Sequence, residues 1–234
     1  ILASANHAFL DVHLTSAEVL STFAGLRPLA RGEMRAAYRA TREHQIAVSD
    51  SGLISIVGGK LTTHRAMAQD VVDLAARELG GAARCRTAEL PLEAGPALVG
   101  AALPEAARAA ADLDEETARY LVEAYGARSL EVLRLATAQP ALRRPLVAGL
   151  PYLWAEVAYA VDQELACTLS DVLIRRTRVI HEDRNQGLPQ AAEVARWMGS
   201  ALGWEAAEVE RQVADYRRAV AATHSFDPAW APPL

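Results

Sequence analysis

The tightest constraint on this chain is the run Val57-Gly58-Gly59-Lys60-Leu61-Thr62-Thr63, because it joins two segments whose apolar residues repeat with different periods. Ahead of it, Gln45 to Val57 is rich in β-branched residues and is broken by Asp50-Ser51-Gly52, which predicts two short strands on either side of a turn. Beyond it, Met67, Val71, Leu74 and Leu79 recur at helical spacing until Gly80-Gly81 stops them. Strand, glycine turn and helix therefore follow one another. A glycine pair lets a ligand come close to the backbone, and the helix start behind it turns N–H groups outward, where negative charge is favoured. A nucleotide P-loop would need Gly at position 54 and Ser or Thr at 61, where the chain has Ile54 and Leu61. On spacing alone, a plain structural turn and a ligand contact both remain open.

The rest of the chain divides by composition. Val19 to Leu29 reads as a further strand, and the opening ILASANHAF reads as mid-helix sequence with no cap, which predicts that the chain begins inside a larger protein. From Thr87 to Pro104, prolines and glycines are scattered among small residues, as in a connector. Everything after that reads as helix. Asp112 with Glu115 has the form of a capping box ahead of a helix from Leu113 to Tyr125, and Ser129 to Thr137 follows as another. Pro140 and Pro145 then interrupt, Trp154, Val157, Val161 and Leu165 mark an apolar face, and Val209, Val213, Tyr216 and Val220 mark the last. The expected organisation is an α+β chain: an incomplete α/β region over 1–86, a connector over 87–104, and a domain of five or six helices over 105–234.

With 51% hydrophobic residues and a formal net charge of -5, the chain has material for buried cores but no surplus of Lys and Arg to hold a phosphate backbone, so nucleic acid is excluded as a partner class. The two cysteines, Cys85 and Cys167, lie far apart without paired spacing, which argues against a zinc site and a disulfide scaffold and fits a reducing cytoplasm. His7, His13, His181 and His224 have no ligand-like spacing either, and no metal is assigned. No apolar run reaches the roughly 20 residues of a spanning helix.

Several stretches, taken in order, resemble one family. Ser21-Thr22-Phe23-Ala24-Gly25-Leu26-Arg27-Pro28-Leu29, then Arg42-Glu43-His44, then Gly58 to Arg65 with Met67-Ala68 look like consecutive motifs of the FAD-dependent, quinone-linked glycerol-3-phosphate dehydrogenases. Downstream, Glu156 to Val161 with Glu164, and Leu169 to Arg178, are similar to that family's helical C-terminal domain. The resemblance implies the tail of a flavin-binding α/β domain followed by an all-helical domain. It also implies oxidation of sn-glycerol 3-phosphate to dihydroxyacetone phosphate, with FAD passing electrons to a quinone. In the family the flavin is held mainly by a G-x-G-x-x-G turn, which occurs nowhere in these residues, so the chain alone is expected to be inactive. A glycerol-3-phosphate oxidase that hands electrons to oxygen, and a non-catalytic helical module, are the rival readings. Contact with the inner face of the cell membrane and a homodimer are left open.

By the same resemblance, the backbone at Gly58, Gly59, Lys60, Leu61 and Thr62 lies along the flavin ring, whose pyrimidine end becomes negative on reduction. Arg27 falls on the substrate side, Arg42 precedes a strand, and both are candidates with Lys60 for the phosphate dianion, since guanidinium forks and an ammonium suit it. Arg27 and Lys60 are also candidate catalytic residues. His44 and His64 are residue types that could take a hydroxyl proton, but a structural or surface role is the expectation for each, and no base is assigned.

Overall fold

The computed structural model describes residues 1–9, 11–25, 43–81, 83–90 and 112–223. The chain divides into two compact units, one formed by Ile1–Phe23 with Glu93–Leu234 and the other by Ala24–Leu92. The described architecture is α+β, predominantly helical, with a two-stranded sheet.

The smaller unit is a hairpin with one helix. Strands β1 (His44–Val48) and β2 (Ile54–Gly58) pair antiparallel, with His44 opposite Gly58 and Ile46 opposite Ile56. The turn between them lies at Asp50-Ser51-Gly52, as the sequence predicts; Gly52 N–H donates to the Ser49 carbonyl, and Ser49 N–H to the Leu53 carbonyl. Alternation puts His44, Ile46, Ile54 and Ile56 on the less exposed side of the ribbon. A 3-10 turn, Leu61–Thr63, leads into the helix His64–Glu78, which ends just before Gly80 at φ +75°. None of the residues in these strands or this helix is fully buried.

The larger unit carries the core. Among the described residues it holds a short helix Leu2–Ala8, then helices Glu115–Tyr125, Ser129–Ala138, Trp154–Gln163, Val179–Glu182, Leu188–Leu202 and Ala206–Thr223. The helix Trp154–Gln163 is the central strut, with its first seven residues all buried. Leu121, Val132, Leu133, Leu169, Leu173, Val194, Met198, Tyr216 and Val220 belong to the same buried cluster. Trp154 and Tyr216 are buried as expected of core aromatics, while Trp197 and Trp204 pack partly buried against the cluster.

Three local expectations are corrected. The residues Val19 to Gly25 form no strand, and the rest of that stretch to Leu29 lies outside the described residues. The cap of the helix Glu115–Tyr125 is Asp114, whose carboxylate accepts from Thr117 N–H at 2.8 Å and Thr117 Oγ1 at 2.9 Å. Asp112 cannot serve there, because it stands at φ +51°, two residues ahead of the cap. Leu165 is not on the apolar face of the central helix; it follows the helix end at φ +56° and is 81% exposed. The sequence also shows no sign that Asp171–Arg176 winds as a π-helix, closed by Thr177, whose N–H and hydroxyl both donate to the Val172 carbonyl. No helix among the described residues is long and apolar enough to cross a membrane.

Candidate functional site at the glycine turn

Gly58 and Gly59 sit at φ +78° and +81°, a left-handed pair that residues with a Cβ rarely adopt. Gly59 has an internal reason to be bare: a Cβ there would collide with the Met67 side chain and lie 3.3 Å from His44 Cβ. The Met67 side chain, one turn into the helix, thus occupies the space beside Gly59. Lys60 then runs extended at φ -121° and ψ 148°, and its carbonyl accepts from both the N–H and the hydroxyl of Thr63 at 3.0 Å.

Neither the 3-10 turn nor the helix behind it has a side-chain cap, and neither carries an acidic residue in its first turn. The positive end of the helix is therefore left to whatever approaches it, beside the exposed Lys60 and beside Leu61, which is 88% exposed. Thr62 is exposed in the same turn. The five predicted residues thus form one turn, with Lys60, Leu61 and Thr62 exposed and Gly58 and Gly59 half-buried, and no acidic residue lies in the first turn of the helix behind it. Arg27 and Arg42 lie outside the described residues.

The two nearby histidines have structural partners. His44 Nε2 meets Asp70 Oδ2 at 2.9 Å and so ties β1 to the helix. His64 Nδ1 lies 2.8 Å from the Leu61 carbonyl, which can only accept, so Nδ1 carries the hydrogen.

In the helical unit, the Arg175-Arg176-Thr177-Arg178 cluster is ion-paired: Arg175 with Asp171 at 3.0 Å, Arg176 with Glu164 at 3.3 Å and Arg178 with Glu182 at 3.1 Å. A site that sequence reasoning missed lies at Glu156. This fully buried carboxylate accepts from Tyr120 Oη at 2.8 Å, Tyr125 Oη at 3.0 Å and Leu153 N–H at 2.6 Å, and burial pushes its pKa up to about 7 despite those donors. Burial, followed by the Glu156 carboxylate, pushes both tyrosines above the ordinary phenol range. Its only sequence signal is an acid inside the apolar run Trp154 to Val161.

A second missed cluster joins the segment ending at Phe23 to the far end of the chain. Thr22 N–H and Thr22 Oγ1 both donate to the Thr223 carbonyl, at 3.0 and 2.6 Å. Ser21 Oγ lies 3.0 Å from His181 Nδ1, and the Phe23 ring meets the His181 ring edge-on at 5.9 Å.

Comparison with known proteins places these features in a family. Residues 85–209 match the model of the C-terminal domain of alpha-glycerophosphate oxidase. Glycerol-3-phosphate dehydrogenase 2 of Mycobacterium tuberculosis is 38% identical over 226 residues, 95% of this chain and 38% of that protein. The mitochondrial glycerol-3-phosphate dehydrogenase of Mus musculus is 34% identical over 212 residues, 85% of this chain and 28% of that one. The chain thus spans well under half the length of these curated relatives. The crystal structure of glycerol-3-phosphate dehydrogenase from Bacillus halodurans, complexed with FAD, superposes with a TM-score of 0.77 at 34% identity, covering 99% of this chain and 45% of that one. The fold, the helical domain and the matched residues together make this chain a member of the FAD-dependent glycerol-3-phosphate dehydrogenase family, carrying that family's C-terminal domain.

Proposed function

We propose that this chain forms part of a flavoprotein that oxidises sn-glycerol 3-phosphate to dihydroxyacetone phosphate, and that these 234 residues alone do not turn over. The observation that carries the reading is likeness along nearly the whole chain to a dehydrogenase solved with FAD. The glycine corner fits such a cofactor, because it offers bare backbone, an uncapped helix start and an ammonium, with no acidic residue in its first turn. When bound, FAD supplies the acceptor for the hydride leaving the secondary carbon of the substrate.

The chain's own residues do the holding. Gly58 to Thr62 would hold the flavin with their peptide groups, and the helix start behind them would stabilise negative charge on it. Lys60, exposed in the same turn, would add a positive charge there. Arg27 and Arg42 grip the phosphate dianion of the substrate as guanidinium forks and so fix its reacting carbon relative to the corner.

The electron acceptor is a quinone in this reading, which calls for peripheral contact of the whole protein with the inner face of a cytoplasmic membrane. The oxygen-using alternative draws support from the name of the matching family model. Two measurements test the proposal. Reading the coding sequence ahead of Ile1 in frame should reveal a strand followed by G-x-G-x-x-G, and a start codon directly before Ile1 would overturn it. The whole gene product should reduce a quinone analogue with glycerol 3-phosphate, whereas peroxide formed in proportion to dihydroxyacetone phosphate would replace the quinone with oxygen.

A further inference from the structure

Within the helical unit, the packing accounts for two faces of the helix Ala206–Thr223 and leaves a third over. Gln212, Tyr216, Val220 and Thr223 are buried. On the solvent side, Arg211 pairs with Glu208 and Asp215, and Asp215 with Arg218, so these charges are satisfied within the helix. Between those faces runs a stripe of Ala206, Glu210, Val213, Ala214, Arg217 and Ala221, at the steps of three and four that keep residues on one helical face. Val213 is half-buried and the other five are exposed. Most of the stripe opens into a groove of about 460 Å³, whose other wall is the helix Leu188–Leu202, through Ala192 and Arg196. Among the described residues, Glu210, Arg217 and Arg196 form no ion pair.

The stripe is symmetric about the midpoint between Val213 and Ala214, except in the sign of its charges. Glu210 and Arg217 are mirror positions there, and so are Ala206 and Ala221. Two copies of the helix laid antiparallel across a two-fold axis at that midpoint therefore bring Glu210 of each beside the partner's Arg217, Val213 beside the partner's Ala214, and alanine beside alanine at either end. Small side chains at Ala206, Ala214 and Ala221 let the backbones come within the roughly 8–10 Å of packed helices. Glu210 and Arg217 stand about 10 Å apart along their own axis and do not pair within the chain. Arg196, across the groove, offers the incoming carboxylate a second cation. A simple anion would use the arginines but be repelled by Glu210. A second copy of the same helix uses both signs.

We propose that this stripe is the surface through which two copies of the protein associate, by an antiparallel pairing of their Ala206–Thr223 helices with Glu210–Arg217 ion pairs on both sides of the axis. An interface built around one helix pair lies at the small end of the range for specific complexes, below about 1,200 Å², so the dimer is weak, with Kd on the order of 10 μM. The pairing holds whatever substrate the protein takes.

The test is sedimentation velocity on the whole flavin-loaded gene product over a concentration series, with the variants Glu210→Arg and Arg217→Glu. Each reversal sets like charges against one another twice, once on either side of the axis, and should raise Kd at least about tenfold. An equimolar mixture of the two variants should bring Kd back to within about threefold of the starting value, because in the mixed pair one copy carries two arginines and the other two glutamates. No rearrangement within a single chain produces that rescue. Both substituted side chains are exposed, so the melting temperature of dilute samples should change by less than about 2 °C. A protein that stays monomeric at about 200 μM overturns the proposal, and that is the result expected if the rest of the same polypeptide fills the groove. Association that neither reversal weakens, or a mixture that associates no more tightly than its two components, overturns it as well.

Discussion

Glu156 is a carboxyl group placed where water cannot reach it, and it uses three protein donors in place of solvent. The sign of its effect on stability follows from its raised pKa. Between the ordinary value of 4.5 and about 7, the folded state keeps the proton and the unfolded state releases it, so unfolding becomes easier as pH rises through that window. The shift corresponds to roughly 3 kcal/mol at its full extent. Glu156→Gln has nothing to ionise, so the stability difference between the two proteins should move in favour of the variant by about that amount from about pH 4.5 to about pH 7.5. Urea unfolding at both ends of the range measures it, and a difference independent of pH would show that the carboxyl ionises normally. Asp114 and Asp171 have pKa values moved the opposite way, by hydrogen bonds, but they are common to both proteins and cancel.

At the scale of elements, caps and turns decide where helices begin. Asp114 holds two donors of Thr117, so Asp114→Ala should lower stability by about 1 kcal/mol, whereas Asp112→Ala should leave it nearly unchanged. Thermal unfolding of the two variants distinguishes them, and equal losses would reinstate Asp112. Much of this level was legible in the chain itself. The hairpin could be read because Asp50-Ser51-Gly52 combines turn chemistry with a glycine at φ +82°, and the helix His64–Glu78 because its apolar period is clear and two glycines end it. The stretch from Val19 failed because β-branched composition records what suits a sheet, not whether a partner strand exists; there the backbone turns to a helix end instead. The π-helical Asp171–Arg176 was illegible because its residues suit an α-helix equally well. Of the candidate site, the glycine corner could be read because positive φ leaves a mark on composition. Glu156 left only an acid inside an apolar run, and the Ser21–Thr22 contacts left nothing, since long-range pairing has no mark in composition.

The molecule as a whole is uneven. Among the described residues, nearly all the fully buried side chains belong to one helical cluster, while the hairpin and its helix bury no residue completely and expose Val48, Leu53, Val57, Leu61 and Val72. Local opening costs least where few apolar contacts must be broken. Deuterium exchange on this chain should therefore find the amides of Ile46 and Ile56 exchanging at least about 100-fold faster than those of Leu121, Val157 and Val172. Comparable protection in both regions would mean that the hairpin draws stability from contacts beyond its own unit. The bond from Thr22 to Thr223 spans 201 positions of sequence, and that separation bears on how the protein is made. At synthesis rates of roughly 5–20 residues per second, about 10 to 40 s pass between the appearance of Thr22 at the ribosome and that of its acceptor. Through that interval the Ser21–Phe23 segment has no helix end to bind, so it acquires its final setting only after the helix Ala206–Thr223 has been made.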